Sequence, residues 1–331
     1  MAVIYIKEQG AMVQKKGERI MVSKNSEILL EFPVSNIEGL ALFGNVQLTA
    51  QGLQFLLQKG IDISYYSYSG QYLGQTAAES SKNIFLRFAQ YGLYNDAEKR
   101  LHLAKLIVKN KVQNQLSIIC NYRWESNKEW KEDVAQIEKI AGKIQDAETV
   151  NELMGIEGKC SNIYFHSFGQ MFRCDFEFHG RNRRPPKDPI NAIISLGYTF
   201  LTKEISSALD AESFETYLGF LHGIRYGRKS LALDVIEEFR QPVVDRMVLK
   251  LFNKQMLSKY DFDIEGEQVL LNREGFQKFC KEYERWMTED IGNKGQTGFR
   301  SIIRRQISKL KQCFQKDEEY TPFCWEEHAC M

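Results

Sequence analysis

Short alternations of apolar and polar residues dominate the chain up to about residue 80, where longer helical periods replace them. Turn residues such as Gly10, Gly17 and Asn25 separate the early apolar runs, which read AVIYIKE, ERIMVSK, SEILLEFPV and IEGLALFG. The next run, VQLTAQGLQFLLQKG, predicts a helix that ends at Gly60. IDISYYSYSGQYLGQTA then predicts a hairpin that turns at Ser69 and Gly70.

From Lys82 onward, apolar residues recur at the helical period. Long helices are predicted up to Arg123, followed by a helical stretch that ends at Gly155. Further predicted helices span 189–209, 234–253, 274–290 and 297–314. Pro189 suits the first turn of its helix, and Pro242 predicts a kink. The pattern therefore predicts an α+β fold: a small, mostly-β N-terminal domain over 1–81 and a larger all-α helical domain over 82–331.

Composition adds few constraints to this picture. The chain has 331 residues and a net charge of +1, so any nucleic-acid binding must come from local basic patches. Its seven cysteines form no CxxC pair, which favours reduced thiols over a disulfide framework. The N-terminus does not read as a signal peptide, and no apolar run approaches the length of a membrane span. We therefore expect a soluble, cytoplasmic protein.

The tail CWEEHAC brings Cys324, His328 and Cys330 close together in sequence. These are zinc-ligand types, but a fourth ligand and the spacing of a zinc knuckle are missing. We expect an ordinary exposed terminus rather than a zinc site.

Two basic segments are candidates for DNA binding. HGRNRRPPKDP concentrates positive charge without a regular helix, and it predicts a mobile substrate-binding loop or, alternatively, a plain surface loop. The helix over FRSIIRRQISKLKQCF carries an uninterrupted basic face, which also suits a solvated surface. The candidate DNA contacts in these segments are Arg181, Arg183, Arg184, Lys187, Arg304 and Arg305. Lys99, Arg100, Lys105, Lys109 and Lys111 form a weaker stripe of the same kind.

An acidic cluster follows a histidine in the segment 217–246. Asp234, Glu237 and Glu238 lie after His222, and their spacing of three and four residues puts them on one helical face. Carboxylates and imidazole are ligands for divalent cations, and apolar neighbours imply that the carboxylates are partly buried. Salt bridges to Arg240, Arg246 or Lys250 would satisfy the same carboxylates, so spacing alone leaves both interpretations open. Arg225, Arg228 and Lys229 stand beside the cluster as candidate phosphate contacts or as surface charge.

The segment GFLHGIRYGRKSLALDVIEEFRQPVVDR resembles the signature of the CRISPR-associated Cas one family, the spacer-acquisition endonuclease and integrase. A second similarity is GIEG, which contains Glu157 and precedes Tyr164 and Phe165, and a third is RRPPKDPINAIISLGYTFL. The matching positions of the first segment are Gly219 to His222, Ser230, Leu231, Asp234, Glu237, Glu238, Arg240 and Pro242. The three motifs appear in the family's order, and the β-then-α layout is also the family's.

The resemblance implies a metal site built from Glu157, His222 and Glu237, with Asp234 and Glu238 as supporting acids. It implies Mg²⁺ or Mn²⁺ as the cofactor and double-stranded DNA as the substrate, both as spacer precursor and as CRISPR repeat. It also implies a homodimer formed through the N-terminal domain and bound to a small companion protein of the adaptation complex. The implied reaction joins short DNA duplexes into the CRISPR array by phosphodiester transfer.

The chain departs from the family pattern at two places. The lead-in LDAESFETYLGFLH is longer than the family's compact turn before the histidine, and Gln241 interrupts the usual Arg-Pro pair. Both changes bear on local geometry rather than on the ligands. The main alternative function is a non-catalytic DNA-binding scaffold, and a small-molecule phosphoesterase is a second alternative. Neither a scaffold's binding surface nor a closed phosphoester pocket needs both an acidic cluster and extended basic stripes.

Overall fold

A computed structural model of the chain describes residues 2–77, 83–122, 129–182, 185–289, 298–316 and 318–325. The described chain begins with strands and one helix and continues as a mainly helical region, so the predicted α+β class is confirmed. The predicted domain boundary at 81/82 lies outside the described residues. In the described residues, no helix is long and apolar enough to cross a membrane.

The N-terminal region contains eight strands in two sheets. The first sheet has the order β1-β5-β7-β8 and the second the order β4-β3-β2-β6. The strands are β1 Ala2–Ile6, β2 Met12–Lys16, β3 Arg19–Lys24, β4 Glu27–Pro33, β5 Ile37–Phe43, β6 Gln47–Leu48, β7 Asp62–Tyr66 and β8 Tyr72–Thr76. The helix α1 Ala50–Gln58 lies between β6 and β7 in the chain, and the predicted hairpin forms from β7 and β8.

The first sheet is buried on both faces because successive side chains of a strand point in opposite directions. Leu40 and Leu42 of β5 belong to a small core shared with α1 and the second sheet. Ala41 and Phe43 of the same strand belong to the large core of the helical region. There the ring of Phe43 stacks on Tyr66 at 4.6 Å between centroids and meets Phe276 edge-on at 4.8 Å. The N-terminal sheet is thus packed directly against the helices.

The helical region contains nine described helices and one hairpin. The helices are α2 Ile84–Asn95, α3 Ala97–Asn121, α4 Glu129–Ala141, α5 Val150–Gln170, α6 Pro189–Ala211, α7 Ser230–Ile236, α8 Arg246–Asn253, α9 Arg273–Thr288 and α10 Phe299–Lys316. The strands β9 Phe262–Glu265 and β10 Gln268–Leu271 form an antiparallel hairpin that the helical pattern did not indicate. Pro189 opens α6 as predicted, and the Asp188 side chain accepts a hydrogen bond from the Asn191 amide at 2.7 Å as its cap.

The prediction that a helix ends at Gly155 is wrong. The helix α5 begins after Thr149, whose hydroxyl caps the Glu152 amide at 3.2 Å, and it continues through Gly155 and Gly158. Each glycine costs a helix about 1 kcal/mol, but both lie on the exposed side. The buried side supplies the compensating apolar contacts, with side chains of Leu153, Cys160, Tyr164 and Phe168.

A π-helical segment, Arg240–Asp245, joins the end of α7 to α8. Gln241, the residue that interrupts the expected Arg-Pro pair, lies within it. A π-helical turn accommodates one extra residue without breaking the surrounding helix. The segment therefore absorbs Gln241 while Val243 and Val244 remain fully buried. Pro242 marks this irregular turn, in line with the predicted kink.

Arg300 connects the N-terminal sheet to three elements of the helical region. Its guanidinium, at the start of α10, pairs with Glu204 of α6 at 2.7 Å and with Glu284 of α9 at 2.8 Å. Glu284 also accepts a hydrogen bond from the Val3 amide of β1 at 3.2 Å. Arg300 is only 5% exposed, so removing its charge leaves two carboxylates without their partner.

We expect Arg300→Met to lower the free energy of unfolding by about 3 kcal/mol, because a buried ion pair is costly to break from one side. Urea denaturation followed by circular dichroism measures this loss. Arg304→Met is the matched control on the same helix, since its side chain is 56% exposed and should cost about 1 kcal/mol or less. Equal losses in the two variants would contradict the role given to Arg300.

Candidate active site

A buried lysine lies at the centre of the candidate site. Lys111 is on the inner face of α3 and is 6% exposed. Its ammonium contacts the Glu157 carboxylate of α5 and lies 2.6 Å from Oε2 of Glu237, at the end of α7. Because a buried ammonium is unfavourable without counter-charges, the two carboxylates are held beside one another by this cation.

Glu237 is kept ionised although it is 3% exposed. Burial alone would raise the pKa of its carboxyl, but Arg240, Lys111 and His222 outweigh burial and lower that pKa to about 2. Arg240 reaches Oε1 at 3.2 Å, and the Lys111 ammonium lies 2.6 Å from Oε2. Glu237 is therefore an anion with a cation at each of its two oxygens.

Asp234 fixes both the backbone and the imidazole of the lead-in to α7. It is fully buried, and its carboxylate accepts hydrogen bonds from the amides of Phe220, Leu221 and His222, the last at 2.8 Å. The Nδ1 atom of His222 lies 2.8 Å from the same carboxylate. Since a carboxylate only accepts hydrogen bonds, Nδ1 carries the proton of the neutral ring and Nε2 presents a lone pair. Asp234 thus orients His222, and both of its carboxylate oxygens already accept hydrogen bonds.

Another buried acid, Asp245, lies near Arg240. Asp245 accepts hydrogen bonds from the hydroxyls of Tyr164, at 2.8 Å, and Tyr198, at 2.7 Å. Burial raises the pKa of its carboxyl to about 6, against the lowering effects of the two tyrosines and Arg240. Arg240 also lies over the Tyr198 ring, 4.6 Å from its centroid. These contacts orient the guanidinium that pairs with Glu237.

Glu238 turns away from Glu237 and binds the segment 318–325. Its carboxyl accepts hydrogen bonds from the Tyr320 hydroxyl and from the Phe323 amide, the latter at 2.8 Å. Burial raises the pKa of Glu238 to about 7, although both hydrogen bonds oppose that shift. Asn114 of α3 donates to the carbonyl of Phe323 at 3.2 Å and accepts from the Trp325 amide at 2.9 Å. The predicted supporting acid is therefore engaged in holding a neighbouring chain segment.

The candidate DNA contacts beside His222 have different environments. Arg225 is exposed and makes no ion pair with any of the residues that the structure describes. Arg228 donates to the carbonyl of Gly223 and to Ser230 Oγ, so it holds its own loop. Lys229 pairs with Asp210 at 2.9 Å. Of these three residues, only Arg225 is both exposed and without an ion pair in the described chain.

The remaining candidate cations also divide into internal and exposed groups. Arg181 donates to Asn191 at 2.7 Å and to Ser195 at 3.0 Å, which fastens the described part of its loop to α6. Lys187 and Arg304 are exposed and pair with Glu267 and Glu38. Arg305 is exposed and has no ion pair in the described chain. Arg183 and Arg184 lie outside the described residues.

The placement of Lys111 in a DNA-binding stripe is wrong, because its ammonium is buried between two acids. The sequence does contain a signal for this burial. Lys111 follows Ile107 and Val108 at helical spacing, on the apolar side of α3. A lysine on an apolar face beside a helix that carries a glutamate indicates an internal pair.

No two of the described cysteines form a disulfide with each other. Cys324 belongs to the segment that binds Glu238, while His328 and Cys330 lie outside the described residues. Within the described ranges, no group of three or more His, Cys, Asp and Glu side chains stands arranged to hold a metal ion. Lys111 instead balances the two glutamates, and the metal site implied for Glu157, His222 and Glu237 stays a prediction.

Comparisons with known proteins agree with this architecture. The family model described as CRISPR associated protein Cas1 matches residues 4–285. A CRISPR-associated endonuclease Cas1 from Thermus thermophilus is 34% identical over 97% of this chain and 96% of its own length. Another from Chlorobaculum tepidum is 31% identical over 97% of this chain and 98% of its own length.

Solved structures share the fold. A Cas1 protein from Thermotoga maritima has a TM-score of 0.84 at 29% identity, over 94% of this chain and 96% of its own. A casposase bound to its integration product also has a TM-score of 0.84, at 23% identity, over 98% of this chain and 93% of its own. Fold and sequence together define a CRISPR-associated nuclease. The chain belongs to the Cas1 family, as its three motifs indicated.

The raised pKa of Glu238 predicts a pH-dependent stability. A glutamate carboxyl ordinarily has a pKa of 4.5, whereas the pKa of Glu238 in the folded protein is about 7. Its contribution to stability is therefore fully present below pH 4.5 and lost as the pH rises through 7. Glu238→Gln cannot ionise. We therefore expect its free energy of unfolding, relative to the parent protein, to improve by on the order of 2 kcal/mol between pH 4.5 and pH 8.

Urea denaturation at several pH values measures this difference. Glu319→Gln, at an exposed position in the same segment, should show no such pH-dependent gain. A constant difference between Glu238→Gln and the parent protein at all pH values would show that Glu238 is ionised in the folded state.

Proposed function

We propose that this chain is a metal-dependent DNA endonuclease and integrase of CRISPR adaptation, which joins short DNA duplexes into the CRISPR array. Two observations carry the proposal: Asp234 orients the imidazole of His222, and the buried Glu237 is held ionised, with His222 among the groups that lower its pKa. Glu157 lies beside Glu237 through their shared contact with Lys111. Residues 1–81 would form the dimerisation domain and residues 82–331 the catalytic domain.

The available donor atoms fit a divalent metal such as Mg²⁺ or Mn²⁺. His222 offers Nε2, and Glu157 and Glu237 offer the two carboxylates that now face Lys111, a set of donor types that suits these ions. When bound, the metal supplies charge stabilisation to a phosphoryl oxygen. Asp234 orients the imidazole for this role through Nδ1, as carboxylates do behind metal-binding histidines.

The protein's own cations would keep the Glu237 carboxylate ionised and in place before DNA binds. Lys111 and Arg240 hold Glu237 in its ionised form down to low pH. In hydrolysis a water attacks phosphorus, whereas in integration the attacking group is the 3′-hydroxyl of a short duplex. In both reactions a P–O bond to the target strand breaks, and the leaving 3′-oxygen takes up a proton.

Exposed cations would bind the phosphate backbone. Arg225 and Arg305 are exposed with no ion pair in the described residues, which supports direct phosphate contacts. Lys187 and Arg304 can exchange their surface carboxylate partners for phosphates at little cost, because exposed ion pairs are weak. Three further cations would act on DNA indirectly, through the loops that they hold: Arg181, Arg228 and Lys229. The proposed set of DNA contacts also includes Arg183 and Arg184.

The proposed partners are a second copy of the chain and a small companion protein of the adaptation complex. Ile28, Leu29 and Leu30 are exposed on β4, an edge strand of the second sheet, which supports self-association through the N-terminal region. One chain of a solved Cas6-RT-Cas1–Cas2 complex contains the same fold over 36% of its length, with a TM-score of 0.84 at 22% identity. A Cas2-like companion is therefore the partner that we propose.

The central test replaces His222 by alanine. We expect joining of a duplex with free 3′-hydroxyls into supercoiled DNA with Mn²⁺ to fall by at least about 100-fold, because even an outer-shell partner of a metal ligand contributes 10–100-fold. Mn²⁺ binding, followed by electron paramagnetic resonance, should weaken in parallel. His166→Ala is the control, because that histidine is exposed on α5, pairs with Asp133 and belongs to none of the proposed contacts.

Undiminished joining by a folded His222→Ala protein would overturn the site. A parent protein that binds DNA tightly but neither cuts nor joins it with any divalent metal would instead be a non-catalytic scaffold.

A second prediction separates phosphate contacts from loop-holding cations. Arg225→Gln and Arg305→Gln should each weaken DNA binding and reduce the slope of log K against log salt by about 1. Fluorescence anisotropy at several salt concentrations measures the slope. Arg273→Gln serves as the control, since this exposed arginine pairs with Glu8 of the N-terminal region and is not among the proposed DNA contacts. Unchanged slopes in both test variants would remove these arginines from the DNA interface.

A further inference from the structure

The loop between His222 and α7 presents an aromatic side chain to solvent at its tip. Tyr226 is fully exposed, and Ile224 beside it is 60% exposed. Arg225 lies between them and is exposed as well. Tyr226 stacks on no other ring within the described residues. An exposed aromatic ring four residues from an active-site histidine has no use in the packing of the fold.

The tip is held firmly although its side chains are exposed. The Arg228 amide donates to the Arg225 carbonyl at 3.0 Å, and Gly227, at φ +72°, closes this turn. The Arg228 guanidinium and the Ser230 hydroxyl both donate to the carbonyl of Gly223, the hydroxyl at 3.0 Å. The loop therefore carries Tyr226 on a backbone fixed at both ends.

The start of the loop, at His222, is anchored to the candidate site. His222 is bound to Asp234 through its amide and through Nδ1, both at 2.8 Å. Asp234 lies on α7, and Ser230 is the first residue of that helix. The position of the Tyr226 ring is thus tied to the position of the imidazole. A group that is to be positioned relative to a reacting phosphate needs such a rigid support.

The chemistry of the tip favours nucleic acid over a protein surface. A solvent-exposed aromatic ring beside an arginine without a counter-charge is the combination that binds unpaired bases, by stacking and by phosphate contact. Any partner at this tip must also coexist with the DNA that reaches His222. The substrate itself is the occupant that meets both conditions.

We propose that Tyr226 is a positioning residue whose ring stacks on an unpaired base of the DNA substrate, next to the phosphodiester that the site processes. Arg225 contacts the phosphate that follows this base. The proposal rests on the proposed function, and it specifies that the substrate is splayed or single-stranded at this point rather than continuously paired.

The test uses the full-length protein and a DNA duplex that carries 2-aminopurine in a short unpaired 3′ tail, without divalent metal, so that no bond is cut. Stacking on a ring quenches this base. We expect quenching with the parent protein and with Tyr226→Phe, which keeps the ring. Tyr226→Ala should lose the quenching and bind the tailed duplex roughly tenfold more weakly, while its binding of a blunt duplex changes little.

Tyr260→Ala is the matched control, because Tyr260 is 90% exposed on the short turn before β9, outside the loop that joins His222 to α7. Unchanged quenching in Tyr226→Ala would overturn the inference. So would equal weakening for tailed and blunt duplexes, or a change in oligomeric state without a change in DNA binding, which would make the tip a protein contact.

The same measurement distinguishes this inference from the proposed function. Quenching that depends on Tyr226, in a parent protein that neither cuts nor joins DNA once metal is added, would support the positioning role and overturn the catalytic one. Joining that is normal in the parent protein and in Tyr226→Ala, together with unchanged quenching, would support catalysis and overturn the positioning role.

Discussion

The contact of one ammonium group with two carboxylates organises the helical region of the molecule. Lys111, Glu157 and Glu237 come from three elements that are far apart in the chain, and each side chain alone would be unfavourable in its buried setting. The cation brings α3, α5 and the end of α7 to a common point. Arg240 then pairs with Glu237 as well, so the Glu237 carboxylate remains ionised in an apolar interior.

The fold followed from sequence wherever a single period dominated. The alternation in the first part of the chain, the turn at Ser69 and Gly70, and Pro189 at the start of α6 all behave as local rules require. The errors arose where tertiary contacts override local preference. Gly155 and Gly158 are helix-weakening residues, yet α5 passes through them because its buried side contributes more than the two glycines cost. The β9–β10 hairpin is too short for its pattern to stand out from the helices around it.

The sequence could predict which residues lie in the site, but not which partners each of them binds. Spacing put Asp234, Glu237 and Glu238 on one face, and the family resemblance implied Glu237 as a metal ligand with Asp234 and Glu238 as supporting acids. The structure gives the three acids different partners: Asp234 binds a loop, Glu237 faces two cations, and Glu238 binds the segment 318–325. These partners are distant in sequence, so no helical spacing could specify them. Lys111 was hidden for the same reason, because a surface stripe and an internal pair can share one pattern of lysines.

The binding of residues 318–325 to Glu238 and Asn114 has a consequence for the order of folding during synthesis. These residues follow Lys111, Glu157, His222 and Glu237 in the chain, so a ribosome completes them last of all the segments that build the site. Until then Glu238 and Asn114 have polar groups without their native partners, inside a core that excludes water. The chain must therefore be synthesised through Trp325 before Glu238 and Asn114 can form their native hydrogen bonds.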